Sequence, residues 1–339
     1  MGQVKRKTMK FMKGLKKKTL TIWSCAFCIF ITTIVQAQDF REICADKSKT
    51  KGIAVNGMEE WQFLKSELRH LSVDEFWGTN SAKTSMATNP AQRDPFVAIV
   101  NYHKALEKEN VRLLLVPIPP KAVIYPDKLV AGLEVKRYDI QLQKFYSLLK
   151  EQGVEVLDLT SLLLKTRKSV SEPLYCLGDS HLSGEGCKVV AQNIASKLNL
   201  KGKNKYRQKE ETIQMTGDLY KSTQHAGETR KVYSVSGDQL KETNAPVVLL
   251  GDSHTLVYDI GGDLFCQNAG IASLLSSYIG IPLDVVGVCG SGATPARISF
   301  FRKSKADKNY LKGKKIIVWC FAAREFTEAT SWNPNVPVK

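Results

Sequence analysis

The fold expected for this chain of 339 residues is decided by the stretch Val247-Val248-Leu249-Leu250-Gly251-Asp252-Ser253-His254. Its four apolar residues predict a buried strand, and the glycine after them predicts a tight turn. Such a turn holds Ser253 at the carboxyl end of a sheet, where α/β enzymes keep their reactive groups. The stretch therefore predicts an α/β protein with a serine at the edge of its sheet.

The pentapeptide Leu-Gly-Asp-Ser-His occurs a second time, at Leu177–His181, in different surroundings. It follows Pro173-Leu174-Tyr175-Cys176 instead of an apolar strand and leads into a predicted helix over Cys187–Leu198. This context predicts a loop that delivers Asp179 and His181. Because serine, histidine and aspartate are the groups of nucleophilic hydrolases and acyltransferases, the two copies predict two halves of one site.

The base that would activate Ser253 must come from a small set of histidines. The chain has five of them: His70, His103, His181, His225 and His254. The first two fall in predicted helices, where structural roles are expected, and His225 lies in a polar segment. His254 adjoins Ser253 and cannot easily fold back onto its Oγ. This leaves His181, which Asp179 would orient from the same face of an extended segment. The alternative for Asp179-Ser180-His181 is an Asx-type turn that caps the following helix.

Apolar runs alternate with amphipathic stretches along the chain, and this alternation predicts a parallel sheet covered by helices on both faces. The predicted strands are Val111–Val116, Val154–Leu159, Val247–Leu250, Leu283–Val288 and Lys315–Phe321. The predicted helices are Pro95–Lys108 with Asp94 as its cap, Tyr138–Gln152, Cys187–Leu198, Ala269–Ile279 and Pro295–Arg302. The segment Lys201–Ala245 is too polar for a core. We expect it to be a surface excursion of a single domain over residues 38–339; a linker between two domains is the weaker interpretation.

Residues 1–37 have the pattern of a secretory signal peptide. A basic run without acidic residues precedes an apolar stretch from Leu20 to Val35, and Val35-Gln36-Ala37 places small residues before the cleavage point. An uncleaved membrane anchor is the alternative, and both predict export of the rest. Half of the net charge of +16 lies in this leader. The remaining, moderately basic chain suits anionic glycans or the cell envelope, and binding to nucleic acid is not expected.

Six cysteines lie beyond the signal region: Cys44, Cys176, Cys187, Cys266, Cys289 and Cys320. An even number in an exported chain permits disulfides, and a bridge from Cys176 to Cys187 would staple the loop that carries His181. The alternative is that Cys289 and Cys320, within apolar strands, are small buried hydrophobic residues.

Two further features predict groups that stabilise negative charge. The turn Gly290-Ser291-Gly292 follows a predicted strand, and its N–H groups, together with the N–H of Ser253, could bind an oxyanion. An ordinary strand-to-helix turn is an equal alternative. Arg324 lies just beyond the last predicted strand and could bind an anionic sugar or stabilise charge, although a solvated arginine is as consistent with the sequence. No metal site or cofactor is predicted.

With these residues the chain resembles the SGNH-like alginate O-acetyltransferase family of bacterial envelopes, in which an Asp-x-His motif precedes the nucleophile motif. Here Asp179-Ser180-His181 precedes Gly251-Asp252-Ser253. Two more segments resemble the family: Val116-Pro117-Ile118-Pro119-Pro120-Lys121 and Ile317-Val318-Trp319-Cys320-Phe321-Ala322-Ala323-Arg324. The resemblance covers roughly residues 55 to 326. The chain departs from the family at Leu182, where an aromatic residue is common, and at Cys320, where an acid is common.

The resemblance implies a three-layer α/β/α fold of the SGNH-hydrolase type with a mostly parallel sheet. It also implies an O-acetyltransferase of the periplasm or cell envelope that acts on a polysaccharide through an acetyl-serine intermediate. The acetyl groups would come from a membrane-bound O-acyltransferase. A carbohydrate acetyl-esterase on the same triad and a non-catalytic polysaccharide-binding assembly protein are the alternatives.

Overall fold

The computed structural model describes residues 40–339, so the predicted signal peptide lies outside the described part of the chain. The strands are β1 (Ala54–Asn56), β2 (Gln62–Leu64), β3 (Arg112–Ile118), β4 (Glu155–Val156), β5 (Tyr206–Met215), β6 (Glu228–Gly237), β7 (Val247–Gly251), β8 (Leu283–Gly287) and β9 (Ile316–Ala322). The longer helices are α1 (residues 40–47), α2 (Lys65–Ser72), α4 (Pro95–Glu107), α7 (Ile140–Glu151), α8 (Thr160–Thr166), α9 (Gly184–Leu198), α10 (Asp218–Thr223), α11 (Ile271–Ile279) and α12 (Thr294–Ala306). The four-residue helices are α3 (Ser81–Thr84), α5 (Lys121–Ile124), α6 (Pro126–Leu129) and α13 (Glu325–Glu328).

Five strands form one parallel sheet in the order β4-β3-β9-β7-β8. Along β3, Leu114 and Val116 belong to one buried cluster and Leu113 and Leu115 to another, because successive side chains point to opposite faces. Helices α9 and α11 cover the first face, and α4, α7 and α12 cover the second. This three-layer arrangement confirms the predicted α/β/α class and explains why the central strands are apolar throughout.

The predicted elements are present with small shifts at their ends. Asp94 caps α4 by accepting the N–H of Phe96 at 2.9 Å, as its position before a proline predicts. The strand predicted over Val154–Leu159 is shorter, since only Glu155–Val156 forms the ladder at the sheet edge. It ends where Asp158 turns to accept the N–H of Thr160 at the start of α8.

The polar segment over residues 201–245 contains an antiparallel hairpin, β5 and β6, with helix α10 between its strands. Most β5 side chains are exposed, but Val232 and Val235 of β6 and Met215 of β5 are buried in the core cluster that contains α9 and α11. Alternation of polar and apolar residues explains how so polar a segment folds against the domain. Within residues 40–339 no helix has both the length and the apolar character needed to cross a membrane.

Candidate active site

The turn after β7 places Ser253 at the carboxyl edge of the sheet. A side chain on Gly251 would put its Cβ 1.7 Å from the carbonyl oxygen of Cys320, so β7 can approach β9 here only with a glycine. Asp252 stabilises the turn that follows, because its Oδ1 accepts the N–H of His254 at 2.9 Å. Its Oδ2 accepts the N–H of Ala322 at 2.8 Å and so joins the turn to the end of β9.

The loop Leu177–His181 brings His181 to Ser253. His181 Nε2 lies 2.7 Å from Ser253 Oγ, and His181 Nδ1 lies 2.6 Å from Asp179 Oδ1. Asp179 Oδ1 also accepts the backbone N–H of His181 at 2.8 Å. All three residues are buried, with 8% of Ser253 and 7% of His181 exposed. The two copies of the pentapeptide therefore meet in space, as their contexts predict.

The carboxylate of Asp179 makes the imidazole of His181 a stronger base. Burial alone would raise the pKa of Asp179, but the neighbouring His181 and the hydrogen bonds to the carboxylate lower it. Burial likewise disfavours the charged form of His181, but the carboxylate of Asp179 outweighs it and raises the histidine pKa. The contact with Asp179 assigns the proton of the neutral ring to Nδ1, which leaves Nε2 to accept from the Ser253 hydroxyl.

Lys121 binds backbone carbonyls of the loop that carries His181. Sequence reasoning did not assign this lysine to the site. Its buried ammonium donates to the carbonyl oxygens of Gln62 at 2.6 Å, Leu177 at 2.9 Å and Asp179 at 3.2 Å. Burial lowers the pKa of Lys121 to about 8. In the sequence this lysine is marked only by the Pro-Pro pair before it. That pattern does not predict which carbonyl oxygens its ammonium would bind.

Two acidic residues of the polar segment bind N–H groups of the same loop. Glu228 accepts the N–H groups of Leu177 and Gly178, each at 2.9 Å. Asp218 accepts the N–H of Ser180 at 2.8 Å and its hydroxyl at 2.5 Å. Sequence reasoning missed both residues, because nothing in the local pattern distinguishes them from the other acidic residues of a polar segment.

The predicted glycine turn lies beside the serine turn only at one end. A Cβ on Gly292 would lie 3.0 Å from the backbone nitrogen of Asp252, so this residue packs directly against the turn that carries Ser253. Ser291 Oγ donates to a carboxylate oxygen of Glu325 at 3.1 Å. Gly290 has a φ of +84° and is exposed, with no atom within 4 Å of a Cβ placed there.

Arg324 and His254 provide two unsatisfied nitrogen atoms near the triad. Arg324 follows β9, is half-buried, and has a buried Nη1 without a hydrogen-bond partner among the described residues. His254 is buried, and its Nδ1 is also without a partner there. Its ring lies against that of His181 with centroids 4.9 Å apart. Burial, and then the charges of His181 and Arg324, lower the pKa of His254, so this ring is neutral.

The cysteines correct two expectations. Cys176 and Cys187 are free buried thiols, so the disulfide staple is wrong, and the contacts of Lys121 and Glu228 hold the loop instead. Cys320 is buried as expected, whereas Cys289 is exposed because β8 ends at Gly287, before the cysteine is reached.

A buried Ser-His-Asp chain of hydrogen bonds at the carboxyl edge of a parallel sheet is typical of hydrolases and acyltransferases with a serine nucleophile. Residues 55–323 match the family model described as SGNH hydrolase-like domain, acetyltransferase AlgX. The chain belongs to this family, and the protein is an O-acetyltransferase of the SGNH hydrolase-like class.

Solved structures agree with this fold. The O-acetyltransferase domain of Pseudomonas putida AlgJ is similar with a TM-score of 0.60 and 16% identity, over 82% of this chain and 93% of that one. Pseudomonas aeruginosa AlgX is similar with a TM-score of 0.59 and 17% identity, over 81% of this chain and 63% of that one. No curated protein sequence matches the chain.

Proposed function

We propose that the protein moves acetyl groups onto hydroxyls of a cell-envelope or secreted polysaccharide, with Ser253 as nucleophile, His181 as base and Asp179 as the residue that orients the imidazole. The observation that carries this proposal is the pair of contacts at 2.7 Å and 2.6 Å that joins the three side chains. Membership of the acetyltransferase family supports acetyl as the group transferred.

The reaction follows from the positions of the protons. Ser253 Oγ attacks the acetyl carbonyl carbon of the donor while its proton passes to His181 Nε2. Breakdown of the tetrahedral intermediate breaks the bond to the donor's leaving group, which takes the proton from His181. A sugar hydroxyl then attacks the acetyl-serine and gives its proton to His181, and Ser253 leaves and recovers that proton. Asp179 stabilises the imidazolium that forms in each half of the reaction.

The oxyanion of each intermediate needs donors that face it. We assign this role to the N–H of Ser253 and to the turn Gly290-Ser291-Gly292, with the packing of Gly292 against Asp252 as support. In this turn the N–H of Ser291 already donates to the carbonyl oxygen of Val288 at 3.3 Å, and the N–H of Gly292 is hydrogen-bonded to the Glu325 carboxylate, so an oxyanion would have to replace these contacts. Arg324 is proposed to bind an anionic group of the acceptor, because its buried Nη1 has no partner in the described chain and an anion would satisfy it.

The location and partners of the protein extend the same proposal. The pattern of residues 1–37 supports export to the periplasm or cell envelope, by a cleaved signal or a retained anchor, and residues 38–339 would then act as a single domain. The family resemblance implies that an exported enzyme of this class receives its acetyl groups from across the membrane. A membrane-bound O-acyltransferase is the class of partner that performs this delivery.

The experiment incubates the purified protein with p-nitrophenyl acetate and an oligosaccharide acceptor, and measures acetylated sugar by mass spectrometry beside released acetate. We expect acetylated sugar from the wild type and from the control Ser196→Ala, which changes an exposed serine of α9. Ser253→Ala and His181→Ala should lose the product by about 10³-fold or more. Acetate without acetylated sugar would identify an esterase on the same residues. If the folded protein forms neither acetylated sugar nor acetate, the proposed enzymatic activity is refuted.

A second readout tests the nucleophile itself. Phenylmethylsulfonyl fluoride should add a sulfonyl group to Ser253, detected on its peptide, with loss of fluoride. The adduct should be absent in Ser253→Ala and form slowly in His181→Ala. A folded wild-type protein that stays unlabelled would refute the role of Ser253 and would favour a non-catalytic binding protein.

A further inference from the structure

We propose that Asp218 is a positioning residue of the triad. Its backbone N–H fixes Asp179, and its carboxylate fixes Ser180. The same carboxylate places a second negative charge near His181. This inference rests on the proposed function. It gives a role to the serine of Asp179-Ser180-His181, which the reaction itself does not use, and it makes the polar segment part of the active site.

The hydrogen bonds form a closed arrangement between the loop and α10. The backbone N–H of Asp218 donates to Asp179 Oδ2 at 2.8 Å. In return, the carboxylate of Asp218 accepts the N–H of Ser180 at 2.8 Å and its Oγ–H at 2.5 Å. Each aspartate therefore binds the backbone on the other side, so rotation of either side chain breaks a hydrogen bond between the loop and α10.

This arrangement decides which oxygen of Asp179 faces the histidine. Oδ2 is held by Asp218, and Oδ1 is left to accept both the ring Nδ1–H and the backbone N–H of His181. A carboxylate held at only one oxygen could turn about its Cβ–Cγ bond and lose the line from Asp179 through His181 to Ser253. The N–H of Asp218 prevents that rotation.

The packing of α10 against the loop is close enough to transmit this constraint. The carbonyl oxygen of Gly178 accepts the N–H groups of Leu219 and Tyr220 at 3.1 Å and 2.9 Å. A Cβ on Gly178 would lie 2.1 Å from the ring of Tyr220, so the loop and α10 are in direct contact without an intervening side chain. A movement of α10 therefore moves Asp179.

The charges that face His181 come from several elements. Asp179 on its own loop and Asp218 on α10 are negative, whereas Arg324 after β9 is positive and the neighbouring His254 is neutral. Asp218 binds Asp179 through its backbone N–H, so removal of the charge on its side chain leaves that contact in place. The charge of Asp218 contributes to the raised pKa of His181 and that of Arg324 opposes it.

Ligand atoms of Asp179, His181 and Asp218 also lie within 4.8 Å of one another, as in a metal site. Nδ1 of His181 and both oxygens of Asp179 are already used in the hydrogen bonds described above. The cluster is therefore assigned as a hydrogen-bonded network, and inactivation rates measured with and without EDTA should be equal.

The test measures the rate of inactivation by phenylmethylsulfonyl fluoride against pH for the wild type, Asp218→Asn and the control Glu151→Gln. Asparagine keeps an acceptor for the N–H of Ser180 but removes the charge. Glu151 is exposed at the other end of the sheet, before β4. Because the reactive form has neutral His181, loss of a negative neighbour should move the acid limb of the profile of Asp218→Asn to lower pH. Its maximal rate should fall by about 10-fold, and Glu151→Gln should match the wild type.

An acid limb that stays in place in folded Asp218→Asn would overturn the inference. If that variant does not fold, Ser180→Ala decides, since it removes only the hydroxyl that donates to Asp218. We expect its maximal rate to fall by about 10-fold, and an unchanged rate would also overturn the inference. A wild type that is not labelled at any pH would refute the proposed function instead, so the two failures are distinguishable.

Discussion

Substitution of Gly217 by alanine tests whether close packing of the polar segment against Asp179 keeps the triad in position. Gly217 precedes α10 with φ −66° and ψ 166°, a conformation open to any residue, so the variant probes packing alone. A Cβ there would lie 2.4 Å from the Cβ of Asp179 and 2.3 Å from the carbonyl oxygen of Gly178. Ordinary contact begins at about 3.4 Å, so the methyl group must displace Asp179 or α10 by about 1 Å.

Both stability and rate should respond. Overpacking of this kind costs about 1–3 kcal/mol of unfolding free energy. A displacement of about 1 Å in a group that orients the base costs on the order of 10²-fold in rate. Urea unfolding and kcat with p-nitrophenyl acetate measure the two effects. The control is Gly52→Ala, where the nearest atoms lie 3.9 Å away and neither quantity should change. If Gly217→Ala keeps the wild-type kcat and stability, the segment does not bear on Asp179 and the reasoning fails.

Three further predictions concern the loop and the thiols. Lys121→Met removes the donor that reaches the buried carbonyl of Asp179, and we expect urea unfolding to show a loss of about 1–3 kcal/mol; equal stability would contradict the contact. The ratio kcat/KM should rise with pH with a midpoint above 6.5, since neutral His181 is required and Asp179 raises its pKa; a midpoint at or below 6.5 would contradict that environment. Dithionitrobenzoate should modify exposed Cys289 faster than half-buried Cys266 in the native protein and Cys320 only after denaturation, and Cys289→Ser should remove the fastest phase without loss of activity; an unchanged fastest phase would contradict the exposure of Cys289.

The layers of the fold and the main chemical groups were predictable from local patterns. The apolar run Val247–Leu250 is a buried strand because both faces of a central parallel strand are covered, and such a strand needs no alternation. The glycine after that strand predicts a tight turn, and the structure shows that a side chain at Gly251 would collide with β9. His181 was predictable by elimination among five histidines, since each of the others has a local reason to be excluded.

The residues that hold the site in place were not predictable. Asp218 and Glu228 act on a loop 38 and 50 or more positions away in the sequence, and such contacts depend on how the hairpin folds over α9 and α11. Cys289 was assigned to a strand because the apolar pattern continues through Val288, but the ladder with β7 ends one residue earlier. Local patterns report propensity, whereas these positions are decided by tertiary contacts.

The central position of β9 has a consequence for the order in which the molecule can form. This strand follows every other strand of residues 40–339, yet it lies between β3 and β7 and pairs with both. Before it is available, β4-β3 and β7-β8 are two separate pairs of strands, and Asp252 lacks the Ala322 amide that anchors the serine turn. The five-stranded sheet therefore cannot be completed until β9 has been synthesised. The turn that carries Ser253 therefore reaches its final anchorage only after β9 has joined the sheet.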